Sequence, residues 1–119
     1  MKLLIRADAG LKIGTGHVMR CLALAQAWKD AGGSAIFAMA EKMAAIEERV
    51  RAEGFDTYHI PARAGSDEDA ALTVNLAILH KAVFLVVDGY QFCSEYQMRL
   101  KQANLNLLFI DDYVHADSY

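Results

Sequence analysis

The stretch Lys2-Leu3-Leu4-Ile5-Arg6-Ala7-Asp8, followed by Ile13-Gly14-Thr15-Gly16-His17-Val18-Met19-Arg20-Cys21-Leu22-Ala23-Leu24, decides the fold. Residues 2–7 read as a β-strand, 8–16 as a glycine-punctuated loop and 18–31 as a helix, which together make a strand-loop-helix unit. Gly14 and Gly16 let the backbone turn sharply and come close to a ligand. The first helical turn leaves unpaired N–H groups that favour an anion. His17 stands at that helix entrance. Its side chain titrates near neutrality, and the positive helix end disfavours the imidazolium, so an uncharged ring there is suited to accept a proton.

Other readings of the stretch compete with this one. A dinucleotide fingerprint needs a third glycine at position 19, which is Met19, and no acidic residue is clearly placed about 20 positions on. A P-loop needs Gly-Lys-Ser/Thr, which occurs nowhere in the chain. The plainest alternative is that the glycines only make a turn and His17 only caps a helix.

Working outward, the helix after the loop carries Val18, Cys21, Leu22, Ala25 and Trp28 at helical spacing, a stripe to lay on a sheet, and this makes Trp28 a core residue. Gly32-Gly33 stops it. Further strands are expected over 34–40, 55–60, 83–87 and 107–110, and further helices over 42–53, from Ser66 to His80, and from Ser94 to about residue 103. Ser66 is a natural N-cap with Asp67, Glu68 and Asp69 in the first turn, and Leu72, Leu76 and Leu79 mark the expected buried face. Asp67-x-Asp69 has the form of a metal-binding pair, but its place at a helix start explains it without a metal. Glu41 stands where some nucleotide sites hold a ribose, or simply favours the next helix. Ser94 with Gln97 predicts a capping box. The run 83–87 is apolar throughout, as expected of a strand buried on both faces, and it delivers Asp88, Gly89 and Tyr90 to its carboxyl end. The alternation predicts an α/β, Rossmann-like domain over 1–119: a mostly parallel five-stranded sheet with helices on both faces and a ligand site beyond the strands' carboxyl ends.

Composition agrees with one folded domain. The 119 residues are 55% hydrophobic and 23% charged, and no apolar run reaches the roughly 20 residues that span a bilayer. No signal-peptide pattern opens the chain, so a cytoplasmic protein is expected. The net charge of −3 argues against nucleic-acid or anionic-membrane partners. Arg6, Lys12 and Arg20 are expected to gather round the His17 loop as a positive pocket for a phosphorylated small molecule. Cys21 and Cys93 have no zinc spacing, and Cys21 reads as a small buried hydrophobe. His115-x-Asp117 is too weak a pattern for a metal site.

The combination Arg6-x-Asp8 with Ile13-Gly14-x-Gly16-His17-x-x-Arg20, supported by Asp88-Gly89-Tyr90 and Ile110-Asp111-Asp112, resembles the UDP-sugar hydrolases of the pseudaminic acid pathway and their relatives among spore-coat polysaccharide biosynthesis proteins. The resemblance spans nearly all of this chain but only the front half of the family's length. It implies the N-terminal domain of a two-domain GT-B architecture, similar to that of the lipid II-forming N-acetylglucosaminyltransferase. In that architecture a C-terminal domain, missing here, holds most of the UDP.

The implied activity is release of UDP from UDP-2,4-diacetamido-2,4,6-trideoxy-β-L-altropyranose, a UDP-activated amino sugar. His17 would deprotonate the water that attacks the anomeric carbon with inversion. Tyr90 would be the second catalytic residue, and Gly14, Thr15, Gly16 and Arg20 would contact substrate. Neither cofactor nor metal is implied, because diphosphate is already a weak base and helix ends can neutralise it. Asp8 and Asp111 are expected to be scaffolding. Two departures, Gly10-Leu11-Lys12 in the loop and Gly89 before Tyr90, bear on which sugar is taken. The chain alone is expected to bind UDP-sugar weakly without measurable turnover. The alternatives are the acceptor domain of a GT-B glycosyltransferase and a non-catalytic Rossmann-like binding module. A phosphoacceptor receiver would need an acidic pair after the first strand and a lysine after the fifth, and the chain has neither.

Overall fold

The computed structural model describes residues 1–9, 16–41, 43–88, 92, 94–103 and 105–110. Five strands alternate with four helices: β1 (Lys2–Ala7), α1 (Gly16–Asp30), β2 (Ser34–Met39), α2 (Ala44–Ala52), β3 (Asp56–His59), α3 (Asp67–Leu79), β4 (Ala82–Asp88), α4 (Ser94–Gln102) and β5 (Asn106–Ile110). The strands form one sheet in the order β3-β2-β1-β4-β5, and every neighbouring pair is parallel. This is the Rossmann-like α/β arrangement. Strand order reverses between β1 and β4, where Ala7 pairs with Asp88 at the carboxyl ends. In doubly wound sheets successive crossovers leave such a point in opposite directions, and ligands bind in the crevice beyond the strand ends.

Side chains along β1 alternate between two cores. Leu3, Ile5 and Ala7 join Val18, Cys21, Leu22 and Ala25 of α1, while Leu4 packs with residues of α3 and α4. A strand buried on both faces carries its polar residues into one core or the other according to parity. Arg6 and Asp8 share the parity of Leu4.

Several local expectations need correction. The helix α1 begins at Gly16, so His17 lies within its first turn rather than ahead of it. Trp28 packs against the core as expected but is only half-buried. Its edge meets Phe84 at 6.1 Å and its Nε1 donates to the Met1 carbonyl at 3.0 Å, at the opposite end of the sheet from the crevice. Gly33 is held to glycine by this ring, since an added Cβ would fall 2.2 Å from Trp28 Nε1.

The buried face of α3 consists of Asp69, Ala70, Thr73 and Ala77. Leu72 and Leu76 are partly exposed and Leu79 is 74% exposed. With Tyr58 they line a surface groove of about 250 Å³. Leu72 and Leu76 still pack against the edge of the core, as expected, and Leu79 alone of the three turns outward. Ser66 caps α3 as expected, its Oγ accepting from Asp69 N, and His80 is the C-cap. In β4 the burial is complete only from Leu85 to Asp88, and Phe84 remains 41% exposed. Ser94 is the first helical residue of α4. Gln97 Nε2 donates to the Phe92 carbonyl at 3.2 Å. Among the described residues no helix is long and apolar enough to cross a membrane.

Candidate functional site

The first turn of α1 runs past the carboxyl end of β4. His17, Arg20 and Cys21 follow one another at i, i+3 and i+4 and therefore share a helix face. All three converge on one carboxylate. Asp88 is wholly buried, and Oδ1 lies 2.8 Å from His17 Nδ1. Arg20 donates through Nε to Oδ2 and through Nη2 to Oδ1, and the Cys21 thiol donates to Oδ2 at 3.4 Å. Asp88 shares parity with Val86, which packs in the α1 core, so β4 itself turns the carboxylate toward α1.

Burial and the neighbouring Asp88 charge push the Cys21 thiol far above its ordinary range. Only the thiolate is nucleophilic, so Cys21 is a chemically quiet donor. The His17 side chain is 8% exposed and that of Arg20 33%. The imidazole is thus more enclosed than a ring standing at an open loop, and its Nδ1 side is turned inward on Asp88. These residues meet at the carboxyl ends of β1 and β4, where strand order reverses, which is where doubly wound sheets bind ligands.

Arg6 does not belong to this cluster, contrary to the expected positive pocket of Arg6, Lys12 and Arg20. It points to the opposite face of the sheet and is wholly buried. There Nη1 and Nη2 donate to Asp8 at 2.6 and 3.2 Å, and Nε and Nη2 donate to Asp69 at 3.0 and 2.7 Å. The guanidinium also lies 4.9 Å from the centre of the Phe92 ring. Asp69 further accepts from Gly65 N, the Thr73 hydroxyl and the Tyr96 hydroxyl.

Burial alone would raise the Asp69 carboxyl. The hydrogen bonds and charge of Arg6, helped by Gly65 and Thr73, outweigh it and hold the group below the ordinary carboxylate range. Burial likewise opposes the Arg6 charge, yet Asp69 and Asp8 raise its affinity for the proton. Asp8 has the scaffolding role expected of it: Oδ1 also accepts from Ala40 N at 2.8 Å and Glu41 N at 3.1 Å, tying the ends of β1 and β2 together.

The Asp67-x-Asp69 pair is split. Asp67 is bound on the surface by Arg99 at 2.8 Å, and Asp69 is in the interior with Arg6. Among the described residues no group of three or more His, Cys, Asp or Glu is arranged to hold a metal ion. Glu41 is exposed at the rim, with its backbone bound to Asp8 and Ala9.

Of the residues singled out from the sequence, His17 and Arg20 come together, and Gly16 opens α1 beside them. Gly14, Thr15, Lys12, Tyr90, Cys93, Asp111, His115 and Asp117 lie outside the described residues. Asp88 is the residue that pattern reading passed over as a strand end. Its parity with Val86 was the available signal. No protein-family model and no curated protein matches the chain.

Proposed function

We propose that the chain is the N-terminal, sugar-facing domain of a GT-B-type UDP-sugar hydrolase. It acts in the cytoplasm on a UDP-activated 2,4-diacetamido-2,4,6-trideoxy-hexose of nonulosonic acid or surface polysaccharide synthesis. The observation that carries this reading is the contact of His17 Nδ1 with the buried Asp88 carboxylate, 2.8 Å away, at the crevice of the sheet. A histidine whose one ring nitrogen is held by a carboxylate presents the other as a base, the arrangement used to activate a hydroxyl or a water.

In the proposed reaction His17 Nε2 takes a proton from water as the water oxygen bonds to the anomeric carbon. The bond from that carbon to the β-phosphate oxygen breaks, and UDP leaves with the electron pair. The sugar is released with inverted configuration. Protonation of the leaving group is unnecessary because diphosphate is a weak base, so the second carboxylic acid of an ordinary inverting glycosidase has no task here. Asp88 stabilises the imidazolium that forms. In this reading the α1 first turn at Gly16 supplies N–H groups to the diphosphate, and the sequence resemblance assigns Gly14 and Thr15 to the same task and Tyr90 to the sugar or the attacking water. Most of the UDP contact belongs to a second lobe.

The test is product analysis in ¹⁸O-water, using a protein that carries this chain joined to a C-terminal nucleotide-binding lobe. The expected products are unlabelled UDP and free sugar bearing one ¹⁸O at the anomeric carbon. His17→Ala is expected to lower kcat by about 10²–10⁴-fold, the usual contribution of a general base. Label in the phosphate, or a glycoside formed with an added acceptor, would overturn the hydrolase reading. The 119-residue chain by itself is expected to give no measurable turnover.

A further inference from the structure

The ring nitrogen His17 Nδ1 has two polar neighbours of opposite character. Asp88 Oδ1, an acceptor only, is 2.8 Å away, and Arg20 Nη2, a donor only, is 3.2 Å away. One nitrogen cannot satisfy both. Were Nδ1 unprotonated, its lone pair would face the carboxylate lone pair at the shorter distance, in a site where Asp88 is wholly buried and little water screens the repulsion. With Nδ1 protonated, the shorter contact becomes a charge-assisted hydrogen bond. The hydrogen bonds of Arg20 Nη2 and Nε then go to Asp88. In the neutral ring this makes Nε2 the atom that carries the lone pair.

We infer that Arg20 is a positioning residue that, by forking onto Asp88, fixes His17 in its Nδ1–H tautomer and so makes Nε2 the ring's proton acceptor. The fork matters because a carboxylate held at two points cannot rotate about its Cβ–Cγ bond. Oδ2 accepts from Arg20 Nε and the Cys21 thiol, and Oδ1, held by Arg20 Nη2, faces the ring. A lysine in place of Arg20 supplies the charge but not the planar fork. The spacing His17-x-x-Arg20-Cys21 therefore has a reason beyond phosphate steering: one helix turn delivers a base and two of the donors that orient its acid.

The catalytic consequence rests on the hydrolase reading, but the tautomer does not, and the two are tested separately. The direct measurement is a long-range ¹H–¹⁵N correlation spectrum of the ¹⁵N-labelled chain, taken at a pH where the His17 ring is neutral. The wild type is expected to show a protonated Nδ1 and an unprotonated Nε2. In Arg20→Gln, where Asp88 remains but is no longer held by the fork, the Nε2–H fraction rises, Arg20→Lys falls between, and Cys21→Ala keeps the wild-type tautomer. An Nε2–H ring in the wild type, or an unchanged tautomer in folded Arg20→Gln and Arg20→Lys, would overturn the inference. In the two-lobed protein Arg20→Gln is expected to lower kcat with KM unchanged, whereas a phosphate-steering arginine would raise KM. If the tautomer follows Arg20 but no UDP is released, the hydrolase reading fails and this one stands.

Discussion

Two buried ionic clusters flank the carboxyl end of β1, one on each face of the sheet, and they differ in closure. In the first, Arg6 holds Asp8 and Asp69, with side chains at 0% exposure, and backbone and hydroxyl donors fill the remaining acceptor positions. In the second, Asp88 is equally buried, but the side chains that bind it, His17 and Arg20, are 8% and 33% exposed. The first ties β1, β2, α3 and α4 together and leaves no path by which a ligand could exchange with its bonds. The second reaches the crevice with two titratable or charged groups attached to one rigid acid. The same chemistry is therefore sealed on one face and partly exposed on the other. Which residue goes where is set by strand parity.

The sharpest way to break the comparison is Arg6→Leu. Removing one partner of a buried ion pair typically costs about 3–5 kcal/mol, and here two carboxylates lose their cation at once. A fall of that size in the urea-unfolding free energy is expected, and a loss below about 1 kcal/mol would mean that the cluster is solvated. The loss of stability on acidification should also become smaller. In the wild type the Asp69 carboxyl is held below its unfolded value. Its contribution is therefore present above about pH 3.9, the ordinary aspartate value, and is lost as pH falls through the depressed folded value. Without Arg6 the burial that raises Asp69 is opposed mainly by the hydrogen bonds from Gly65 and Thr73, so its folded value moves up and the variant should lose less stability than the wild type as pH falls.

A smaller effect is expected from Tyr96→Phe. The hydroxyl donates to Asp69 Oδ1 at 3.1 Å and lies 3.2 Å from the Thr73 hydroxyl. A hydrogen bond to a charged group contributes about 1.5–3 kcal/mol, and the phenyl ring keeps the packing against Phe92, whose centre is 4.7 Å away. Burial and the Asp69 charge raise the Tyr96 hydroxyl, so the wild-type phenol should remain protonated at pH values where free tyrosine ionises. Ultraviolet absorbance during alkaline titration reads this directly.

Much of the architecture was legible in the sequence, because each element announces itself locally. Gly32-Gly33, Ser66 and the apolar run before Asp88 delimit elements by backbone and capping chemistry within a few residues. The clusters were not legible, because they depend on which strands are neighbours. His17 and Asp88 are 71 residues apart and Arg6 and Asp69 are 63 apart. Only the order β3-β2-β1-β4-β5 brings them together. Arg6 was misplaced for a simpler reason, since its alternation with Ile5 and Ala7 was outweighed by its nearness in sequence to the His17 loop. The leucines of α3 mark only the flank of the buried face: Leu72 and Leu76 pack against the core while partly exposed, and Leu79 is exposed. That face buries Ala70, Thr73 and Ala77.

The smallest effect concerns Cys21 and asks whether the second cluster depends on all of its donors. A thiol is a weak donor, and at 3.4 Å from Asp88 Oδ2 it adds little to the two bonds from Arg20. Cys21→Ala removes the donor and little volume, so a loss of about 1 kcal/mol or less is expected, set mainly by the cavity left by the sulfur. Cys21 is wholly buried and its thiol is raised by burial and by Asp88. In a Cys93→Ser background, a thiol reagent should therefore modify Cys21 only at the rate at which the chain opens, and that rate should follow urea-measured stability across the Arg6 and Tyr96 variants. Rapid labelling of the folded chain would mean that the first turn of α1 moves away from β4 independently of the rest. The second cluster would then be held less firmly than the first, and His17 would exchange between bound and released positions beside Asp88.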